Sequence, residues 1–168
     1  MNKIRGFEMI SSQQAIKDVG SDEILKENIQ LPVRATIGSA GYDIFAPFDI
    51  VLKPQCEEKI PTYLKAYMQD GEVLMCYPRS GLGFGYYCRL ANTVGVIDKD
   101  YYNNEKNEGH IWVKIRNEST NKIMKIKKGE AFCQGIFIPF LLADGDTFEY
   151  GNVRKGGFGH TSIGKSGE

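Results

Sequence analysis

No stretch of the 168 residues approaches the roughly 20 consecutive apolar positions that a membrane-spanning helix needs. The opening MNKIRGFEMISSQQ also lacks the apolar centre of a signal peptide. A cytoplasmic protein with no membrane partner is expected. Neither sign of charge is in excess: Lys plus Arg and Asp plus Glu both number 21, for a formal net charge of +0. No overall field therefore draws the chain to nucleic acid, and a polyphosphate ligand would have to be held by local groups. Cysteine is sparse and dispersed, at Cys56, Cys76, Cys88 and Cys133, with no CxxC pair and no Cys/His cluster of zinc-ligand spacing. Reduced, packed thiols follow for a cytosolic chain. The two histidines, His110 and His160, have no Ser or Cys partner in a nucleophile motif, so a catalytic triad finds no support. Apolar spacing at i, i+3, i+4, i+7 never persists long enough for a helical scaffold, and no unit of about 20 to 50 residues repeats. A doubly wound α/β fold is thereby disfavoured.

What is present is 42% hydrophobic residues, enough for one core and one domain spanning residues 1–168. From about residue 31 onward, short β-branched and aromatic runs such as YDIFAPFDIVL, EVLMCYP, GHIWVKIRN and FCQGIFIPFLL alternate with Gly, Pro, Asn and Asp clusters. That pattern predicts an all-β antiparallel sandwich or barrel. Residues about 8–30 differ, being polar and offering one short helix at Asp22 to Lys26 capped by Ser21. Residues about 154–168 form a Gly-rich tail whose composition alone describes a flexible arm.

Three segments carry candidate chemistry. In PRSGLGFGYY, Arg79 offers a planar fork of donors, Ser80 a hydroxyl, and Gly81 and Gly83 close backbone approach, which suits a phosphate; a plain Gly-rich turn has the same composition. GLGFG does not fit the GxGxxG dinucleotide pattern. In LANTVGVIDKDYYNN, an apolar strand ends in Asp98 and Asp100, which would share one side of an extended chain, and NNEKNEG then HIWVKI completes an expected hairpin. Such a carboxylate pair can orient a water or a divalent cation, or simply form a solvated turn. In the tail, Arg154, Phe158, Gly159, His160 and Thr161 combine a cation, a stacking ring, exposed backbone donors and a hydroxyl, the ingredients of a nucleotide lid or of a disordered end.

The order of these segments resembles the trimeric dUTPase family, which carries five short motifs along the chain. The first is Ala40–Gly41–Tyr42–Asp43–Ile44–Phe45–Ala46 and the second Pro78–Arg79–Ser80–Gly81–Leu82–Gly83. The third is Gly95–Val96–Ile97–Asp98–Lys99–Asp100–Tyr101, with Asn92 upstream, and the fourth Lys128–Gly129–Glu130–Ala131–Phe132–Cys133–Gln134. The fifth is Arg154 with Gly156–Gly157–Phe158–Gly159–His160–Thr161. The resemblance covers about residues 31 to 162. It implies a jelly-roll-like β-barrel or sandwich, a homotrimer whose active sites are shared between chains, and a C-terminal Gly-rich arm that closes over a neighbour's site. The implied reaction is Mg²⁺-dependent hydrolysis of dUTP to dUMP and pyrophosphate, which limits uracil incorporation into DNA and supplies dUMP for thymidylate synthesis.

The roles that the resemblance implies follow motif by motif. Asp98 is the base that deprotonates water attacking the α-phosphorus. Arg79, Ser80, Gly81 and Gln134 hold the phosphates, and Asp43 contacts the metal ion through water. Asn92, Val96 and Ile97 meet the uracil, Ile97 through its backbone, and Tyr101 packs beneath the deoxyribose. In the arm, Arg154 and Thr161 reach the γ-phosphate, Phe158 stacks on uracil, and Gly159 accompanies them. Three departures stand out: an insertion near 103–108 that displaces the usual glycine to Gly109, a short spacing after Arg154, and a long lead-in over 8–30. The last two surfaces of interest, the lead-in and the insertion, offer contacts for a regulatory protein partner that no motif supports. The related dCTP deaminase would require an acid/base near the pyrimidine amine, where only Glu105 and Glu108 of the insertion lie.

Overall fold

The structure, a computed structural model, describes residues 3–27 and 29–146. In chain order its elements are β1 (Gly6–Met9), α1 (Ser12–Val19), α2 (Glu23–Lys26), β2 (Val33–Arg34), β3 (Tyr42–Phe45) and β4 (Ile50–Leu52). There follow β5 (Glu57–Pro61), β6 (Leu64–Tyr67), β7 (Glu72–Pro78), α3 (Ser80–Tyr86), β8 (Arg89–Leu90) and β9 (Gly95–Asp98). A 3-10 turn (Lys99–Tyr101), β10 (Trp112–Arg116), β11 (Met124–Ile126) and β12 (Ala131–Pro139) complete the set.

The strands obey the period-two rule of a half-buried sheet. In β10, Val113 and Ile115 point inward and Lys114 outward; in β7, Leu74 and Cys76 point inward. They assemble into four antiparallel groups: β1 with β6, β11 with β4, β5–β10–β8, and the five-stranded β2–β3–β12–β7–β9. Phe132, Ile44, Ile60, Leu74, Ile115 and Met124 anchor one shared core. The mostly-β expectation holds, but the strands do not close into a single barrel.

Three local expectations differ. The lead-in holds two helices rather than one. Ser11 caps α1 by accepting the Gln14 N–H at 3.1 Å, and Gly20, at φ 81, ends it, a serine N-cap and a C-terminal glycine that the sequence displays as SSQQ…G. The second helix begins one residue later than expected, with the Ser21 hydroxyl accepting the Glu23 N–H. This lead-in has its own small core, in which Ile10, Ala15 and Tyr63 are packed against by Val19, Ile24 and Leu25. Third, the expected hairpin from the Asp98 strand into HIWVKI does not form. β9 pairs with β7, whereas β10 pairs with β5 and β8, so the intervening loop carries the chain between sheets.

Candidate active site

Sheet register places two of the singled-out residues opposite each other and a third close by. Asp43 on β3 lies opposite Gln134 on β12, and Gln134 lies opposite Tyr77 on β7, two residues before Arg79. Arg79 Nη1 donates to Asp43 Oδ1 at 2.5 Å. Asp43 is only 7% exposed, so its charge is paired where solvent is scarce. Arg79 keeps 38% of its side chain exposed, with most of its five donors still available to a ligand. Gln134 Nε2 donates to the Pro78 carbonyl at 3.1 Å, which orients Oε1 over Gly41. A Cβ on Gly41 would stand 2.4 Å from that oxygen, so glycine is required for the amide to lie there.

Ser80 and Gly81 open α3, a helix where a turn was expected from three glycines in seven residues. Each helical glycine costs about 1 kcal/mol relative to alanine. The cost is met by packing of Leu82 and Tyr86, one turn apart, on the main core. The first intrahelical bonds run from Leu82 N and Gly83 N to the Arg79 carbonyl, so the N–H groups of Ser80 and Gly81 precede the helical ladder. The result is a cation, a hydroxyl and two early backbone donors on one short segment, an arrangement that can receive phosphate oxygens.

The third motif lies elsewhere. β9 is an edge strand, bonded to β7 alone, so every second residue turns its N–H and C=O away from the sheet. Asn92, Gly95, Val96, Ile97, Trp112 and Lys114 line a small cleft beside it. Lys114 was not singled out in the sequence; the Lys59 ammonium sits 4.2 Å from the Trp112 ring centroid. Asp98 ends β9, and Asp100 falls in the 3-10 turn, so the two carboxylates do not alternate along one strand as expected. The Tyr101 ring joins the main core at 5% exposure, and its hydroxyl donates to the His110 carbonyl at 2.9 Å.

Distance separates the two groups. Asp98 pairs with Val73, at the far end of β7 from Pro78. Five residues at about 3.3 Å each put roughly 17 Å between the carboxylate's strand position and the cradle of the same chain. A roomier pocket lined by Arg5, Arg34, Tyr42, Glu72, Phe137 and Pro139 contains none of the cradle or third-motif residues.

Of the four cysteines expected to be packed thiols, Cys56 is exposed and the other three are buried. Burial pushes the Cys88 thiol up to about 11, and Cys76 and Cys133 are buried free thiols. His110 is fully buried, and burial lowers its pKa although Asp18, 2.6 Å from Nδ1, opposes the shift. Among the described residues no trio of His, Cys, Asp or Glu forms a metal cage. The oxygens at the cradle, the Asp43 carboxylate and Gln134 Oε1, suit a hard cation held mainly by phosphates and water. Arg154, Phe158, Gly159 and Thr161, with the rest of the proposed arm, lie outside the described residues. No helix among those described is long and apolar enough to cross a membrane.

Comparison with known proteins bears directly on this arrangement. Residues 27–162 match the family model described as dUTPase. The chain is 47% identical over 159 residues to a deoxyuridine 5'-triphosphate nucleotidohydrolase of Lactococcus lactis, covering 95% of this chain and 98% of that one. It is 35% identical over 146 residues to the corresponding protein of Psychromonas ingrahamii, with 83% and 92% covered. A crystal structure of dUTPase from Streptococcus mutans superposes with a TM-score of 0.65 at 39% identity, over 83% of this chain and 99% of that one. The dUTPase of Staphylococcus bacteriophage 80alpha, at 20% identity and a TM-score of 0.61, shares the fold over 88% of this chain and 97% of its own. Motif order, sheet register and these matches agree: the chain belongs to the dUTPase family and is an enzyme that hydrolyses dUTP to dUMP.

Proposed function

We propose that the enzyme splits dUTP into dUMP and pyrophosphate in the cytoplasm with Mg²⁺, in sites that each combine residues from different chains of a homotrimer. The observation that carries the shared site is the roughly 17 Å between Asp98 and the Arg79 cradle within one chain. A base and the phosphates it serves must lie within hydrogen-bond reach of one water. The cradle of one chain therefore meets the third motif of another.

Asp98 takes a proton from water as the water oxygen bonds to the α-phosphorus. The bond from that phosphorus to the bridging oxygen breaks, and pyrophosphate leaves with the electron pair. Arg79, Ser80 and Gly81 hold the phosphate oxygens in line, and the Gln134 amide, fixed by Pro78 and Gly41, orients alongside them. Asp43 supports Arg79 directly and contacts the water shell of the metal ion. Mg²⁺, when bound, neutralises charge on the triphosphate and the leaving pyrophosphate.

Asn92, Val96 and the Ile97 backbone read the uracil edge, which the free edge of β9 makes feasible; a cytosine presents the opposite donor and acceptor there. Tyr101 forms the floor under the deoxyribose. From the C-terminal arm, Arg154 and Thr161 meet the γ-phosphate and Phe158, beside Gly159, stacks on the base. Removal of dUTP limits uracil incorporation into DNA, and the dUMP formed supplies thymidylate synthesis.

A mixing experiment tests the shared site. Asp98→Asn and Arg79→Ala chains, each assembled alone, are expected to lose turnover by several orders of magnitude. Dissociated together and reassembled at equal amounts, they should regain about a quarter of wild-type activity, because random assembly gives that share of sites one intact cradle and one intact base. No regain would place both residues in one chain's site and overturn the proposal.

A further inference from the structure

The two parts of the sequence that depart from the family's usual pattern, the lead-in and the insertion after Tyr102, bind each other. Glu108 accepts from the Ser11 N–H at 2.9 Å and from the Ser11 hydroxyl at 2.5 Å, so the residue that caps α1 is itself held by the insertion. Lys17 Nζ donates to the Lys106 carbonyl at 2.5 Å, Asp18 pairs with His110 Nδ1 at 2.6 Å, and the Tyr102 hydroxyl donates to Glu8 at 2.6 Å. Burial raises the Glu108 pKa, but the two Ser11 bonds and Lys65 outweigh it and hold the carboxyl below its usual range.

The same insertion faces Tyr101 on its other side. Asn104 Nδ2 donates to the Tyr101 carbonyl at 2.7 Å, and Asn107 Nδ2 donates to the Tyr101 hydroxyl at 2.8 Å while that hydroxyl donates to His110. Asn107 Oδ1 in turn receives the Gly109 N–H and the Asn104 amide. Asn103 and Glu108 both sit at φ 54, a left-handed conformation unfavourable to side chains, and the Asn103 N–H to Glu108 carbonyl bond closes the loop between them. A loop stapled internally by two asparagines and clamped outside by a capped helix is a bracket, and what it brackets is the Tyr101 ring.

We infer that the insertion and lead-in form a positioning device for sugar selection, in which Asn107 fixes the Tyr101 ring against the deoxyribose and Glu108 anchors the loop to α1. The inference rests on Tyr101 as the sugar floor. A steric wall discriminates only as well as it is held: a ring free to withdraw by an ångström admits a 2'-hydroxyl.

The test is the ratio of kcat/KM for dUTP to that for UTP, measured on the full chain with Mg²⁺. Asn107→Ala should narrow the ratio about tenfold with kcat for dUTP little changed, and Tyr101→Phe should narrow it by a similar factor. Asn107→Ala placed in the Tyr101→Phe background should add much less than it does alone, because the hydroxyl it acts on is gone and only its bonds within the loop remain to be lost. An unchanged ratio in Asn107→Ala, or an equal further narrowing in the double variant, overturns the inference. Should Asn107→Ala fail to fold, Glu108→Gln decides, with a narrowing of about threefold expected and a wild-type ratio overturning it. Failure of the shared-site mechanism would show in the mixing experiment instead and leaves this ratio readable.

Discussion

The two ends of β7 solve the same problem by different means. At the Pro78 end, strand register sets Asp43 opposite Gln134, Arg79 pairs with Asp43 through its side chain, and Gln134 is held by the Pro78 carbonyl. At the Val73 end, Asp98 and Tyr101 sit where a strand runs into a 3-10 turn, and their surroundings are fixed by loop backbone and capping bonds. A sheet holds its row whether or not one side chain is disturbed, whereas a stapled loop depends on its backbone. Damage to the supporting glycines should therefore appear mainly as lost activity at the first end and as lost stability at the second.

One glycine at each end breaks the comparison cleanly, the larger effect being at Gly109. Its φ is +82, and an added Cβ would lie 2.6 Å from the Tyr101 carbonyl oxygen and 3.0 Å from the Tyr102 Cα. Both obstacles are backbone, so nothing can swing aside. Gly109→Ala should cost about 3 kcal/mol or more, from left-handed strain plus the overlap. Denaturant midpoints compared with wild type measure it; a midpoint near wild type would mean that the loop relaxes at little cost and is not the rigid bracket described.

Gly41→Ala presses on the far end of a flexible side chain instead. The added Cβ meets Gln134 Oε1 at 2.4 Å, and Gln134 can rotate away by giving up its bond to Pro78. We expect kcat/KM for dUTP to fall about tenfold, equivalent to roughly 1.4 kcal/mol, with a melting temperature within about 2 °C of wild type. A large drop in melting temperature with normal kinetics in the surviving protein would reverse the contrast between the two ends.

Much of this was legible in the chain because the informative signals are local. Alternation in EVLMCYP and HIWVKI gave the strands, and the five motif segments gave the family, since each motif is a short contiguous string. What escaped was non-local. Nothing in GVIDKDYY states that its strand pairs with β7 rather than with the following run, because pairing partners are chosen by the packing of the whole sheet. α3 was hidden by its glycines, whose poor propensity is overridden by the burial of Leu82 and Tyr86. The contact between Glu108 and Ser11 spans nearly a hundred residues of sequence and has no periodic signature at all. α1, by contrast, was readable in principle from Ser11, Gln14 and Gly20, and was missed because its polar face masked the caps.

The smallest effect concerns pH, and it sharpens the comparison by acting at one end alone. The Tyr63 N–H donates to His110 Nε2 at 3.1 Å, so the ring is neutral, with Nδ1–H turned to Asp18. Protonating Nε2 would set two donors against each other in a buried site. Burial is the main cause of the lowered pKa, the Asp18 bond and charge oppose it, and Lys59 and Glu108 act weakly in opposite directions. A histidine whose folded pKa lies below its unfolded value of about 6.5 contributes stability above that pH, and the contribution is lost as pH falls. Between pH 7 and 5.5 the unfolding free energy should drop by about 1 kcal/mol, within the limit of roughly 1.4 kcal/mol per pH unit for one proton. The depressed carboxylates Glu8, Glu57, Glu72 and Glu108 make their losses lower, below about pH 4.5, so they do not contribute to the drop between pH 7 and 5.5. His110→Asn should flatten the upper window. Because His110 joins the lead-in to the insertion, amide exchange in residues 8–20 should accelerate at pH 5.5 while β12 stays protected; equal acceleration in both would tie His110 to the whole sheet rather than to the Tyr101 end.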